Sequence, residues 1–538
     1  MILLPIKIVS GFLNVLAIDL IGSIVVDLTR SFINCSFRRQ RSGCTHHPHK
    51  RRHFGSLVGS VFLLGAATSP ALAHGVTLRY DLPLPLSLYI WGVGATVALS
   101  FVGFALFLRG GHGVPGAEIE WHPRGPLVRA LVMGIHALAV VLLFIVIVAG
   151  LFGNQDPVRN IAPVMVWIIG WVGLAFLSLL IGDVWILINP WNAAFSFAER
   201  CWGRLYGDTE IRIARYYPAW LGVWPAFLLF VAFAWMELVW SGRNVPAALA
   251  VALLVYSALT FAGMAAFGRE AWLARGEVFT LVFATFARFG PLSRIPRRPG
   301  ICVRMPAAGL LADHPSTLSM VALVIALLAT VTFDGLLETP VWARADLAVL
   351  DWASESSFWS ALNLREDQAV RLVRTLALVG FILLFLAAFA LVCRLTAAAS
   401  GERTVETSIV LRRFVLTLVP IALAYHVAHY FSLFFIGGQY AIPLLSDPLG
   451  RGWDLFATAG YQVDIGLVTP RLQWTVAVVA VVLGHVVAVY LSQVTALRLF
   501  ASRRAALRSQ IPMVLLMVAY TMLSLWILSQ PIVETGVR

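Results

Sequence analysis

Ten long apolar runs dominate the sequence, and they constrain the fold more than any other feature. A segment needs about 20 mostly apolar residues to cross the hydrocarbon core of a bilayer as a helix. Lipid offers no partner to backbone polar groups, so such a segment must be helical. We therefore predict an all-α, polytopic transmembrane helix bundle, whose ten spanning helices lie at residues 86–108, 127–152, 162–188, 217–240, 245–267, 318–337, 372–395, 411–436, 472–494 and 511–530.

The distribution of positive charge predicts how these helices are oriented. The chain has 40 Lys and Arg against 27 Asp and Glu, and nearly all of the basic residues are arginine. If the mature chain starts outside, the inner loops and helix ends hold about twice as many arginines as the outer ones, as cytoplasmic loops do. We therefore predict a multi-pass protein of the bacterial inner membrane, with the mature N-terminus and the C-terminus outside. The arginines form no stripe with interleaved aromatic residues, which argues against a nucleic-acid partner.

The first 73 residues are predicted to be separate from the bundle. The stretch "HPHKRRHFGSLVGSVFLLGAATSPALAHG" has the basic start, apolar run and small-residue site, Ala71-Leu72-Ala73, of a signal peptide. Cleavage there would start the mature chain at His74. The predicted domains are therefore 1–73, an upstream extension plus a signal-peptide-like segment, and 74–538, the ten-helix domain. A genuine additional helix near the start of the chain is the alternative.

Two histidines lie in the apolar run "PIALAYHVAHYFSLFF", and ionisable residues inside a membrane usually mark a functional site. His426 and His429 are three residues apart and therefore neighbours on one helix face. His485 lies near the middle of the next predicted helix, at a comparable depth. Three imidazoles on adjacent helices would suit a divalent transition metal such as zinc. Haem ligation and plain packing of hydrogen-bonded histidines are the alternatives.

Two carboxylates near predicted helix ends are further candidates. Glu237, in "FAWMELVWSG", is the candidate catalytic base; metal ligation, orientation of an imidazole and simple hydration are the alternatives. Asp334, in "ATVTFDGLLETP", is expected to be hydrated at the headgroup boundary. The amphipathic piece "EVFTLVFATFARF" is expected to lie along the membrane interface.

The chain resembles the integral membrane proteins of the bacterial fenitrothion hydrolase family. The likeness runs from about His74 to Pro531 and leaves residues 1–45 outside. It is carried by "AHGVTLRYDLPLPLSLYIWGVGATVALSFVGFALF", "NIAPVMVWIIGWVGLAFLSLLIGDVWILINPWNAAF", "WPAFLLFVAFAWMELVW", "FGREAWLARGEVFTLVFATFARFGPL", "ALAYHVAHYFSLFF" and "PMVLLMVAYTMLSLWILSQP". The resemblance implies hydrolysis of an organophosphorus triester to a nitrophenol and a dialkyl thiophosphate. It brings no established catalytic residues with it.

These observations predict a membrane-embedded hydrolase that takes a small apolar organophosphate from the lipid bilayer. A metal held by His426, His429 and His485 would lower the pKa of bound water and polarise the phosphoryl group, with Glu237 as the base. The alternative is a transporter or metal-handling membrane protein in which hydrolysis is incidental. A haem-binding electron carrier is a further alternative. The oligomeric state is not predicted.

Overall fold

The computed structural model describes residues 85–530, apart from positions 109–118, 122–124, 208–210, 212, 214–215, 295–299, 312–313, 357–358, 360, 362–364 and 403. The signal-peptide-like segment and the predicted boundary after residue 73 therefore lie outside the described residues. Within the described part, ten helices are long and apolar enough to cross a membrane, which confirms the predicted all-α bundle. They are labelled in chain order α1 (Leu86–Phe107), α2 (Pro126–Phe152), α3 (Ile161–Leu180), α4 (Ala219–Leu238), α5 (Pro246–Phe267), α6 (Leu318–Leu337), α7 (Asp367–Ser400), α8 (Thr407–Ser446), α9 (Pro470–Leu499) and α10 (Arg503–Leu528).

Shorter elements connect the spanning helices. Three short strands form an antiparallel sheet in the order β1–β3–β2, in which Cys302 on the middle strand lies opposite Glu120 on one side and Ser293 on the other. The strands are β1 (Ile119–Trp121), β2 (Leu292–Arg294) and β3 (Ile301–Val303). The connecting helices are Trp185–Ile188, Pro190–Tyr206, Arg269–Arg275, Val278–Ala287 and Pro340–Glu355.

Helices α6 and α8 form the centre of the bundle. In the most apolar 18 residues of each helix, 78% are buried in α6 and 67% in α8, against 6% in the peripheral helix α2. A helix that is apolar on all sides is surrounded either by lipid or by other helices, and the burial shows that other helices surround α6 and α8. Every residue of α6 from Val321 to Phe333 is buried. Polar groups on this part of the helix therefore contact other protein groups rather than lipid or solvent.

Helices α8 and α9 are in close contact at a glycine. A Cβ atom at Gly484 would lie 2.7 Å from the carbonyl oxygen of Pro420 and would overlap the side chain of Ala424. Small residues at such positions let two membrane helices approach closely. The contact fixes the rotation of α9, because Gly484 must point at α8. The next residue, His485, is turned about 100° away around the helix axis.

Several spanning helices depart from regular α-helical geometry near the centre of the bundle. Pro420 has no N–H to donate and its ring crowds the preceding turn, and the residues before it, Val415–Leu418, form a 3₁₀ turn within α8. Two π-helical stretches follow i→i+5 hydrogen bonding: Val164–Gly173 in α3 and Leu433–Gly437 in α8. Such stretches occur frequently at functional sites.

Two predictions about local structure are wrong. The predicted helix 162–188 ends at Leu180, because the chain turns at Gly182, whose φ of 137° is in the region that favours glycine. The segment expected along the membrane interface forms helix Val278–Ala287 and is buried instead, with Val282 and Phe283 at 0% exposure. Its apolar residues surround the helix rather than covering one side, so it packs into the bundle.

Candidate functional site

Four polar side chains from three helices meet near the end of α6. They are Glu237 on α4, Asp334 on α6, and His429 and Tyr430 on α8; we call them the tetrad. Successive spanning helices alternate in direction, so this site lies near the membrane side where α6 ends and α9 begins. We call that side the Glu338 side, and the opposite one, where α10 begins, the Arg503 side. Which of the two faces the cytoplasm stays a prediction.

The tetrad is a chain of hydrogen bonds centred on Asp334. His429 Nε2 lies 2.9 Å from Asp334 Oδ2, and the Tyr430 hydroxyl donates to the same oxygen at 2.7 Å. The Tyr430 hydroxyl also lies 3.3 Å from Glu237 Oε1. Since an ionised carboxylate only accepts hydrogen bonds, His429 Nε2 is the donor in its pair. The side chains of His429 and Asp334 are 9% and 16% exposed, so this ion pair is largely shielded from solvent.

Two positively charged or chargeable side chains contact residues of the tetrad. His429 pairs with Asp334, and the Arg243 guanidinium donates to the backbone carbonyl of Glu237 at 2.7 Å. Two carboxylates this close together in a helix bundle would repel each other if both were ionised and unpaired. Arg243, His429 and the single hydroxyl proton of Tyr430 are the groups that offset this repulsion.

A small pocket adjoins the tetrad. Glu237, His426 and Tyr430 line it together with apolar groups, and its free volume of about 10 Å³ is close to the space that one water molecule needs. His426 is 3% exposed, and its Nε2 atom has no hydrogen-bond partner in the protein. The aromatic wall around the imidazole includes Trp171 and Phe286, whose ring centroids lie 5.4 Å and 6.1 Å from that of His426.

The structure separates the three predicted metal ligands. His485 Nδ1 donates to the carbonyl of Val481 at 2.8 Å, and its ring lies beside Tyr520 on α10. The reason is the rotation of α9, which directs Gly484 rather than His485 at α8. His429 is paired with Asp334, while His426 points into the neighbouring pocket.

Among the residues that the structure describes, the predicted ligands do not form a metal-binding set. A zinc site needs three or four ligand atoms at about 2.0–2.3 Å from the ion. In the part of the chain that the structure describes, no three or more His, Cys, Asp and Glu side chains are grouped so that they could hold a metal ion. The chemistry considered below therefore depends on the side chains themselves.

The structure does bring some of the predicted site residues together. Glu237 and His426 line one pocket, and His429 is connected to that pocket through Asp334 and Tyr430. The expectation that Asp334 is simply hydrated is wrong, because its carboxylate accepts hydrogen bonds from two buried side chains. The sequence offered one signal for this partnership, an acidic residue at the end of an otherwise apolar helix.

Comparison with known proteins adds no assignment, since no protein-family model, no curated protein and no solved structure matches the chain.

Proposed function

We propose that the chain is a membrane-embedded hydrolase of apolar organophosphorus triesters, in which His426 and Glu237 provide acid–base catalysis. The resemblance of the sequence supplies the substrate class. One observation supports the catalytic part: an imidazole nitrogen without a protein partner and a carboxylate line the same water-sized pocket. A base positioned within hydrogen-bonding reach of a water molecule can deprotonate it as it attacks.

In the proposed reaction, a water molecule held between His426 and Glu237 attacks the phosphorus atom. His426 Nε2 takes a proton from this water as the oxygen–phosphorus bond forms. The bond between phosphorus and the aryl oxygen then breaks, and the nitrophenolate leaves with the electron pair. Its later protonation gives a nitrophenol beside a dialkyl thiophosphate, with one water consumed. Nitrophenolate is a good leaving group, so the reaction depends mainly on activating the nucleophile.

The tetrad is proposed to carry the released proton away. Tyr430 has one hydroxyl proton, and the shorter contact is the one to Asp334, so the hydroxyl oxygen can accept a hydrogen bond from Glu237 when Glu237 is protonated. His426 gives up its proton to a new water in the pocket as that water passes a proton to Glu237. Glu237 then passes a proton to Tyr430 while Tyr430 passes its own proton to Asp334. Asp334 is neutral while it holds this proton, and once the proton has left, the hydrogen bond from His429 stabilises the carboxylate again. The proton thereby moves from the pocket toward the Glu338 side.

The size of the pocket adds a requirement to this proposal. A space of about 10 Å³ holds a water molecule, whereas pockets for drug-sized ligands are about 300–1,000 Å³. A triester can therefore reach the water only when the aromatic wall formed by Trp171 and Phe286 moves aside. An apolar substrate that partitions into lipid could enter between helices once this wall opens.

Nitrophenol release by purified protein in nanodiscs tests the proposal. With a nitrophenyl dialkyl thiophosphate as substrate, His426→Ala and Glu237→Gln should each lower kcat/KM by about 10²–10⁴-fold, the usual contribution of general acid–base catalysis. His136→Ala is the matched control, because this histidine lies on the peripheral helix α2 and does not line the pocket. Wild-type release by a folded double variant of His426 and Glu237 would overturn the proposal.

Metal analysis of the same preparations tests the predicted cofactor. Full activity in metal-free protein supports catalysis by the side chains alone. A stoichiometric divalent metal, with activity that disappears on chelation and returns on adding zinc, would instead support metal-assisted hydrolysis, and its loss in variants of His426, His429 and His485 would identify these residues as the ligands. Purified protein without a visible haem absorption band would rule out the electron-carrier alternative.

Proton-coupled transport is the second candidate function. The observation that favours it is the continuous chain from Glu237 to His429, since buried carboxylates and histidines are typical proton relays of pumps and transporters. On this alternative any nitrophenol release is incidental to transport. Asp334→Asn and His429→Ala would then abolish proton movement driven by a membrane potential, while His136→Ala would leave it unchanged.

A further inference from the structure

A second group of polar side chains is buried between α9 and α10, outside the pocket. His485 and Gln493 on α9 are 1% and 0% exposed, and Gln510 on α10 is 1% exposed. Helix α9 starts at the Glu338 side, so His485 lies about 22 Å along it and Gln493 about 12 Å further, at 1.5 Å per residue. The group therefore extends from the middle of the bundle toward the Arg503 side.

Several atoms of this group have no hydrogen-bond partner in the protein. They are His485 Nε2, Gln510 Nε2 and both polar side-chain atoms of Gln493, and the hydroxyl of Tyr425 on α8 shares the property. Buried polar groups in proteins nearly always bond to protein or to ordered water. Enclosed donors and acceptors of this kind are what bound water molecules require as partners.

Aromatic and hydroxyl side chains lie between this group and the tetrad. The centroid of the Tyr425 ring lies 6.2 Å from that of His429. The Tyr425 hydroxyl lies against Gly335 of α6, three residues beyond Thr332. Thr332 Oγ1 and the Tyr520 hydroxyl form a buried hydrogen bond of 2.5 Å between α6 and α10. The ring of Tyr520 lies 5.9 Å from that of His485. Polar groups thus follow one another from the tetrad to the middle of α9.

Further polar groups lie toward the Arg503 side, beyond two buried methionines. Ser492 is seven residues beyond His485 on the same side of α9, about 10 Å further along. Its hydroxyl donates to Gln510 Oε1. Between these two levels, α10 carries Met513 and Met517, which are 0% and 1% exposed.

We infer that a water-mediated proton path runs from the tetrad along the α9–α10 interface toward the Arg503 side, and that Met513 and Met517 close it. The species bound along the path are water and the excess proton. An apolar constriction stops conduction because water does not fill it, and adding a polar group there favours filling. The inference goes beyond triester hydrolysis, which needs proton exchange with one side of the membrane only.

Proton flux into liposomes tests this inference on the full chain. Vesicles containing the protein and an internal pH dye receive a potassium diffusion potential with valinomycin, and the rate of internal acidification is measured. Met517→Ser should raise the rate by about tenfold, which corresponds to a barrier lowered by about 1.4 kcal/mol. Adding Gln510→Leu or His485→Phe to Met517→Ser should return the rate to that of the wild type. Thr475→Val, at an exposed position of α9, is the control.

Each outcome bears on the inference. Met513→Ser repeats the test at the neighbouring constriction residue, so failure of one variant to fold does not decide the result. If both folded serine variants match protein-free vesicles, or if Gln510→Leu leaves their flux unchanged, the inference is wrong. Nitrophenol release measured on the same variants separates the two proposals, since adding His485→Phe or Gln510→Leu to a serine variant should reduce flux without reducing hydrolysis.

Discussion

Two glutamates enclosed by helices differ in how their charge is satisfied. Glu277 is 0% exposed and caps helix Val278–Ala287, accepting hydrogen bonds from backbone N–H groups of the first turn, from both the backbone and the hydroxyl of Thr280, and from the Tyr256 hydroxyl. Glu237 has one side-chain hydrogen bond, of 3.3 Å, and it borders a water-sized pocket. The two residues are chemically the same, but only Glu237 has an oxygen left for another ligand.

This difference indicates which buried carboxylate is structural. A carboxylate at a helix N-terminus that is surrounded by donors is stabilised as an anion and holds its helix in place. A carboxylate with few donors beside a space for water can exchange a proton. A related contrast separates His429, whose Nε2 atom is paired with Asp334, from His485, whose Nε2 atom has no partner in the protein.

The largest effect on stability is expected for Glu277→Gln. Both oxygens of Glu277 accept hydrogen bonds from backbone N–H groups. In the glutamine variant, the side-chain NH₂ group would therefore face one of these donors in either orientation. We expect the free energy of unfolding to fall by about 2–4 kcal/mol, as when a buried charged hydrogen-bond network is broken. The measurement is denaturant titration in mixed micelles, and the matched control is Glu237→Gln, which should change stability by less than about 1 kcal/mol. Equal losses in the two variants would remove the distinction between these glutamates.

A smaller effect is expected from breaking the Asp334–His429 pair. Asp334→Asn removes the charge that His429 faces, and we expect a loss of about 1–3 kcal/mol of stability together with lower nitrophenol release. A double-mutant cycle with His429→Ala measures the coupling directly, and it should fall between about 0.5 and 3 kcal/mol. Additive losses in the two single variants would show that the pair contributes no interaction energy.

The smallest effect is expected from removing the Tyr430 hydroxyl. Tyr430→Phe keeps the ring in its packing position and removes the link between Glu237 and Asp334. We expect a stability change of about 1 kcal/mol, as for one hydrogen bond, and a larger relative loss of turnover. Tyr440→Phe is the control, because Tyr440 is 38% exposed and lies outside the tetrad. If both variants keep wild-type turnover, Tyr430 carries no proton in the reaction.

The fold followed from hydropathy because the bilayer sets the length of a spanning helix. Each of the ten predicted runs corresponds to a spanning helix, although α8 extends from Thr407 to Ser446, beyond the predicted 411–436. Hydropathy does not distinguish lipid from protein surroundings. The segment after Glu277 therefore looked like an interfacial helix, whereas its apolar residues pack against other helices.

The candidate site was only partly predictable, because helix rotation depends on packing. The spacing of His426 and His429 placed them on neighbouring positions of one helix, but a difference of about 60° around the axis sends them to different partners. The orientation of His485 depends on Gly484, whose close contact with α8 appears only when the helices are assembled. The role of Asp334 was not predicted, because the position of a residue along its own helix gives no information about a partner on another helix.

The π-helical stretch Val164–Gly173 affects the size of the molecule that can enter the pocket. Its carbonyls pair five residues ahead, so a return to four-residue pairing would shift the following side chains by one position, or about 100° around the axis. Trp171 belongs to this stretch and forms part of the barrier beside His426. Entry of a bulky molecule would then depend on the hydrogen-bond register of α3, which sets the position of the Trp171 side chain.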